Sequence, residues 1–348
     1  MSRKPLILLG ILTIIAVLSI AFILSKADLP NKLDNGFERK LIQNAIEPSI
    51  SKQITEYAKK ISGTTPSSIF FSGQNPAWVL KVDRYLNIVD TLVYGIELTE
   101  QFRDPGITID SPYIYMYSPE IKYLVKGFVD STRIDTLKLK TELFSRAAQI
   151  SPDWLVLRAI DSTQSKQVFQ IMDCRTGETI RQAQIINDQQ FGGFEHDGHL
   201  RYDKSTNSIF FVQMFQNRYF CMDTMLNIKY IGKTIDTTNT NMVKIGLVTE
   251  NGVSKVMASK PRIIVNQSIS ASNGRLFVVS GLRADKESLN EFNKVVPVDM
   301  YDASSGKYLG SFHLSKGSGD KILDFIIDNK TAIVLFKNGI CNIYALNY

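Results

Sequence analysis

Five segments of this 348-residue chain repeat one unit: an apolar strand ending in aspartate, a short polar turn, and a second strand. They are VDRYLNIVDTLVY from Val82, FVDSTRIDTLKL from Phe128, IMDCRTGETIRQAQI from Ile171, CMDTMLNIKYIG from Cys221 and MYDASSGKYLGSF from Met300. The shared acids are Asp83, Asp130, Asp173, Asp223 and Asp302, spaced 47, 43 and 50 residues apart and then 79. Aspartate at the first position of a turn accepts backbone N–H groups two residues on. These five are therefore expected to form turns and not to act as catalytic acids.

Two further strands precede each turn. An inner strand such as ITID (Ile107–Asp110), AAQIS (Ala147–Ser151) or SISAS (Ser268–Ser272) comes first. An apolar strand follows: Ser68–Phe71, Tyr113–Tyr117, Trp154–Leu157, Ser208–Val212, Arg275–Val279 and Thr331–Phe336. Their β-branched and aromatic residues between Gly, Asn, Asp and Pro clusters are strand signals. Four strands per 40–50 residues predict an all-β chain, a six-bladed β-propeller. The long interval holds two insertions, Thr237–Ile263 and Leu282–Lys294. The sixth unit (Leu323–Asp328, Thr331–Phe336, Ile340–Leu346) lacks a fourth strand before the chain stops at Tyr348. An N-terminal strand is expected to complete it and remove the open edge. Gly36–Gln43 is the segment expected to do so, with Ala45–Gln53 as a short helical turn and the first blade starting near Tyr57.

The N-terminus carries a different signal. Leu6–Leu24 reads LILLGILTIIAVLSIAFIL without a charge, preceded by Arg3 and Lys4. As a helix it would rise about 29 Å, close to the hydrocarbon thickness of a bilayer. The positive flank places the N-terminus in the cytoplasm and the rest outside, which is periplasmic. Cleavage after Ser25-Lys26-Ala27 is the competing reading, although the run exceeds a usual signal h-region. The expected organisation is a cytoplasmic stub and transmembrane anchor over 1–26, a linker over 27–35 and the propeller over 36–348. Arg3, Lys4 and Lys26 account for three of the 40 bases, and the remaining 37 face 34 acids. That balance, without a basic stripe, argues against a nucleic-acid partner. Cys174, Cys221 and Cys341 show no zinc or disulfide spacing and read as small buried hydrophobes.

Gly198–Asp223 (GHLRYDKSTNSIFFVQMFQNRYFCMD) and the stretch from Leu276 to Leu314 carry a resemblance. The chain resembles six-bladed propellers of the TolB-like and NHL-like kind. More narrowly, it is similar to uncharacterised membrane-anchored propeller proteins of Bacteroidetes-type bacteria. The resemblance implies the fold and little chemistry, because propellers host unrelated functions.

The most polar segment, Phe191–Asp203, holds Glu195, His196, Asp197, His199 and Asp203. His-x-x-His with a carboxylate could hold a divalent metal, so Glu195, His196 and His199 are the metal candidates. Met214–Tyr219 offers Asn217 and Arg218 for a polar or anionic ligand, with Tyr219 available to stack. Arg283 in the second insertion is a further binding candidate. Strand-to-strand loops and blade-to-blade links alternate ends, which puts these segments at one channel mouth. H-E-x-x-H, G-x-S-x-G and phosphate-cradling loops are absent from the sequence. Calcium-dependent lactonases on this fold ring the channel with acids and asparagines. Here the expected inner strands supply Asp110 and Asp324 and are otherwise mostly apolar or neutral. Two functions follow as expectations. The first is a non-enzymatic, envelope-exposed binding or scaffolding propeller for a protein, peptide or small polar ligand. The alternative is a metal-dependent, lactonase-like envelope hydrolase at the channel mouth. No cofactor is expected beyond that channel-bound metal.

Overall fold

A computed structural model describes residues 4–26, 35–75, 77–95, 105–118, 121–131, 133–140, 143–161, 166–187, 189, 191–239, 245–250, 253–258 and 263–347. Six four-stranded antiparallel sheets follow one another along the chain. Their inner strands are Lys60–Thr64, Gly106–Asp110, Phe144–Ser151, Gly198–Asp203, Asn266–Ser272 and Ile322–Asp328, in blades one to six. Each inner strand lies beside those of the two neighbouring blades, and blade six returns to blade one. The ring is a six-bladed β-propeller.

Packing between blades holds the ring. The second strand of each blade is enclosed on both faces, as in Ser68–Ser72 and Ser208–Gln213, where every residue is buried. Outer strands such as Ile88–Val93 and Thr179–Ala183 are mostly exposed. Six apolar clusters fill the six interfaces between adjacent blades. The interface of blades three and four is typical: Phe169 meets Phe211 edge-on at 5.1 Å, beside Val156 and Ile209. Cys174, Cys221 and Cys341 are free and buried, as expected of small hydrophobes.

Four of the five aspartate turns are what the repeat predicts; at Asp130 no such bond is formed among the described residues. Asp83 Oδ1 accepts the N–H groups of Tyr85 and Asn87, both at 2.8 Å, and Asp223 accepts those of Met225 and Asn227. Asp173 and Asp302 accept from Arg175 and Ser304 two residues on. A register shift follows each of these four turns. The chain passes through left-handed backbone there, at Gly177 and Gly306 (φ 71° each) and at Leu86 and Leu226 (φ 60° and 62°). A leucine in that conformation costs about 1–2 kcal/mol, which burial of its side chain offsets.

Closure comes from a different segment than the sequence suggests. Ile46–Gln53 is a strand, not a helical turn, and pairs with Ile340–Leu346 from Ile46↔Leu346 to Gln53↔Ile340. Ile46 and Ile50 pack on the two apolar clusters that flank blade six. Pro48, which disfavours a strand reading, is tolerated because an outer strand pairs on one side only, and the register shifts between Pro48 and Ile50. Gly36–Gln43 instead lies against blade five. Leu41 bridges Ser311, and Phe37 is buried with Val265, Leu282 and Ala284. Arg39 fixes this strap. Its guanidinium is nearly fully enclosed and reaches Glu287 at 2.6 Å, Asp299 at 2.9 Å and the Leu282 carbonyl at 2.9 Å.

Both insertions have structure of their own. Ile245–Glu250 and Val253–Ala258 form a two-stranded hairpin, and Leu289–Lys294 is a short helix with a Ser288–Glu291 capping box. The N-terminal apolar run lies in a helix, Lys4–Lys26. Among the described residues no helix is long and apolar enough to cross a membrane; side chains of the expected span are described for residues 9–22.

Removing residues 1–34 should leave the melting temperature within about 2 °C, whereas removing 1–53 should abolish a cooperative transition by exposing the edge of blade six. Equal melts for the two truncations would refute closure by Ile46–Gln53. Arg39→Met should cost about 3–5 kcal/mol in urea unfolding, because it leaves Glu287 and Asp299 buried without their cation. Burial raises the Glu287 carboxyl, but His313, the Ala284 N–H and Arg39 outweigh it and hold it at about 2. Its folded value is depressed, so its stabilisation is complete above about pH 4.3 and is lost as pH falls toward 2. Glu287→Gln should flatten the acid limb of a stability–pH curve over that window.

Candidate functional site

The inner strands enclose a central channel. At one end a cavity of about 380 Å³ takes lining residues from all six of them, including Lys60, Gly106, Arg146, His199, Ser268 and Asp324. A second cavity of about 380 Å³ continues toward the other end, past Thr108, Asp110, Gln149 and Lys204. Successive side chains of a strand point to opposite faces. In Gly198–Asp203 that alternation leaves His199 and Arg201 part-exposed while Leu200 is buried in the apolar cluster.

Charged side chains staple blades together around the mouth. Arg146 Nη2 donates to Asp197 at 2.7 Å, and its Nε donates to the Gly198 carbonyl at 2.8 Å, joining blade three to blade four. Asp324 Oδ2 accepts the Ile61 N–H at 2.9 Å, joining blade six to blade one. At the opposite end Lys204 Nζ meets Asp110 at 2.6 Å, linking blades four and two. His199 Nε2 lies 3.1 Å from the Asn266 carbonyl, so the ring donates to blade five. Burial, with Arg201 and Arg146 close by, lowers the imidazole to about 3 and keeps it neutral.

The segments expected at one mouth do meet. The Met214 N–H donates to the Asp197 carbonyl, the Val265 N–H to Met214, and the Gly281 N–H to Val265. The candidate side chains are less exposed than the sequence suggests. Glu195 and His196, at the end of the turn Phe191–His196, are only 7% and 3% exposed. Gln213 and Gln216 amides lie 2.8 and 3.2 Å from His196 Nδ1 and use it as acceptor. Asn217 is buried and donates to the Asp236 carbonyl at 2.7 Å. Arg218 stacks over Phe220, 4.9 Å from the ring centre. Tyr219 is fully buried with its hydroxyl on the Gly306 carbonyl, so it cannot stack outward. Arg283 donates to the Glu287 carbonyl at 2.6 Å, away from the channel.

Of the six binding candidates, His199 alone lines the mouth. The expected Glu195–His196–His199 centre is not assembled. The two imidazoles are committed to different partners, and among the described residues no three His, Cys, Asp or Glu side chains group to hold a metal. The expectation of apolar or neutral inner strands is also corrected, since Lys60, Arg146 and Arg201 line the channel. A polar or charged side chain at every second position of GHLRYD (His199, Arg201, Asp203) was the available signal. Arg146 lay just before the strand as read from the sequence, which began at Ala147.

No protein-family model and no curated protein matches the chain. Solved structures share its fold. A member of the DUF4221 family from Bacteroides vulgatus superposes with TM-score 0.56 at 14% identity, covering 88% of this chain and 99% of that one. Virginiamycin B lyase from Staphylococcus aureus superposes with TM-score 0.52 at 9% identity, covering 87% and 100%. At such identities the likeness concerns the fold alone. The six blades of this chain bear out the expected six-bladed propeller, and one of the solved structures that share its fold comes from a Bacteroides species.

A titration follows from the site. The His199 imidazole should show no protonation between pH 8 and 5 by NMR. A midpoint near the ordinary histidine value of about 6.5 would show that it is not held neutral by burial.

Proposed function

We propose that the chain is a membrane-tethered binding or scaffolding propeller that takes a small polar ligand, or a peptide segment of an envelope protein, at the channel mouth. One observation carries the reading. A polar cavity lined by all six inner strands opens at the end where the links and the largest loops converge. Its size falls in the range of small-ligand sites. Its walls are fixed by inter-blade hydrogen bonds, and a rigid scaffold positions binding loops at little entropic cost.

Tethering is supported by the Lys4–Lys26 helix, which at 1.5 Å per residue is about 34 Å long. Apolar side chains from Leu9 to Phe22 on this helix are at least half exposed. Burying that surface in lipid is favourable at roughly 25 cal/mol per Å². On this reading the propeller lies on the periplasmic side, following the positive N-terminal flank.

The test starts with co-purification from membranes. Gln267→Trp, at an exposed position of the mouth, should abolish capture of the bound ligand or partner. Lys204→Trp, at the far end of the channel, should leave it intact. Capture that survives Gln267→Trp would remove the mouth as the site. The full chain should resist alkaline extraction, and a soluble mature chain starting at Asp28 would overturn the tether.

A further inference from the structure

The two halves of the channel meet at a waist. Lys60, Tyr117, Ala147 and Arg201 line both cavities, and two of these four are cations. Charges elsewhere in the channel are largely matched: Arg146 by Asp197, Lys204 by Asp110. The waist is not. Arg201 Nη1 donates to the Leu200 carbonyl at 3.1 Å, while its Nη2 stands 3.6 Å from Asp324 Oδ1, beyond hydrogen-bonding distance. Asp324 is already committed, accepting the Ile61 N–H on one oxygen and the Phe325 N–H on the other, both at 2.9 Å. Among the described residues no hydrogen bond or ion pair engages the Lys60 ammonium. Together the two cavities are lined by five cationic side chains, Lys59, Lys60, Arg146, Arg201 and Lys204, against the lining carboxylates Asp110 and Asp324 and Asp197 behind Arg146, which leaves an excess of two positive charges.

Low-dielectric walls focus such an excess of one sign onto whatever enters. A guanidinium edge and an ammonium that line the same waist are suited to an oxyanion. The fork supplies directed donors and the lysine supplies charge. We infer that the waist binds the carboxylate or phosphate group of a small ligand, held between Arg201 and Lys60. This rests on the reading of the mouth as the route of entry. The ligand passes His199, which is neutral and adds no repulsion or attraction of its own. Asp324 sets the depth: it keeps Arg201 near the axis and repels an anion that descends beside blade six.

The experiment is calorimetric titration of the full-length protein with sodium phosphate and with sodium citrate, each against sodium chloride at equal ionic strength. One saturable site is expected for at least one oxyanion, and the ranking of the two identifies the preferred group. Lys60→Gln and Arg201→Gln should each weaken it at least about tenfold, the loss of one charge-assisted contact. Lys204→Gln should change affinity less than about twofold, since its partner lies at the far end. Among the described residues Lys60 has no hydrogen bond or ion pair to lose, so its variant keeps the test valid if Arg201→Gln fails to fold. Absence of saturable heat with both anions, or affinity unchanged in Lys60→Gln, overturns the inference. A partner that Gln267→Trp abolishes but Lys60→Gln and Arg201→Gln leave bound would reject the oxyanion while retaining the mouth. A partner that Gln267→Trp retains would reject the mouth itself.

Discussion

Everything in this propeller depends on one antiparallel pairing, that of Ile46–Gln53 with Ile340–Leu346. Blades are small sheets that cannot bury both faces alone, and each relies on two neighbours. With six blades in a ring every blade has both. The pairing closes that ring across nearly the whole sequence, using an N-terminal strand to finish the last sheet. It covers the open edge of Ile340–Leu346 and brings Ile50 onto the cluster of Ile333, Leu335, Cys341 and Ile343 against blade one. Without it the blade-six edge would be a template for pairing with other chains.

The strap before the closing strand adds a second attachment. Arg39 is buried against Glu287 and Asp299, which come from a loop and a strand of blade five. Burial drives the Asp299 carboxyl up while Arg39 and Ser311 pull it down, so the aspartate depends on its partners to stay charged. The geometry is close and every partner is hydrogen-bonded, the condition under which a buried ion pair repays its desolvation. Phe37 lies 5.1 Å from the guanidinium and seals it from water.

Closure also makes the channel. The six inner strands meet around one axis only when the last blade is complete, and their inward side chains then share a space. Some of those charges staple blades, as Arg146 does with Asp197 and Asp324 does with Ile61. Arg201 and Lys60 do not have such complete partnerships, and this difference separates the structural charges from those available to a ligand. The same distinction removes Glu195, His196 and Asn217 from the surface. In the wall His196 accepts from the Gln213 and Gln216 amides, Asn217 donates to the Asp236 carbonyl, and Glu195 lies 3.7 Å from the His196 ring.

The sequence by itself determined the blade count, the strand order within each blade, the aspartate turns and the need for an N-terminal closing strand. These are local or periodic properties. Alternation, turn chemistry and a repeat of 40–50 residues are written in neighbouring positions. Which N-terminal segment closes the ring was decided only by tertiary structure. Gly36–Gln43 and Ile46–Gln53 have similar local appeal, and Pro48 disfavours the right one until its place on an outer strand is known. The candidate site was legible at His199 and at the channel carboxylates Asp110 and Asp324. Lys60, Arg146 and Arg201 are unremarkable charges along the chain, 86 and 55 residues apart. They become a channel lining because three different blades turn their inner strands to one axis. Burial likewise depends on contacts between distant residues, so a polar loop such as Phe191–Asp203 reads as exposed in one dimension and packs into a wall in three.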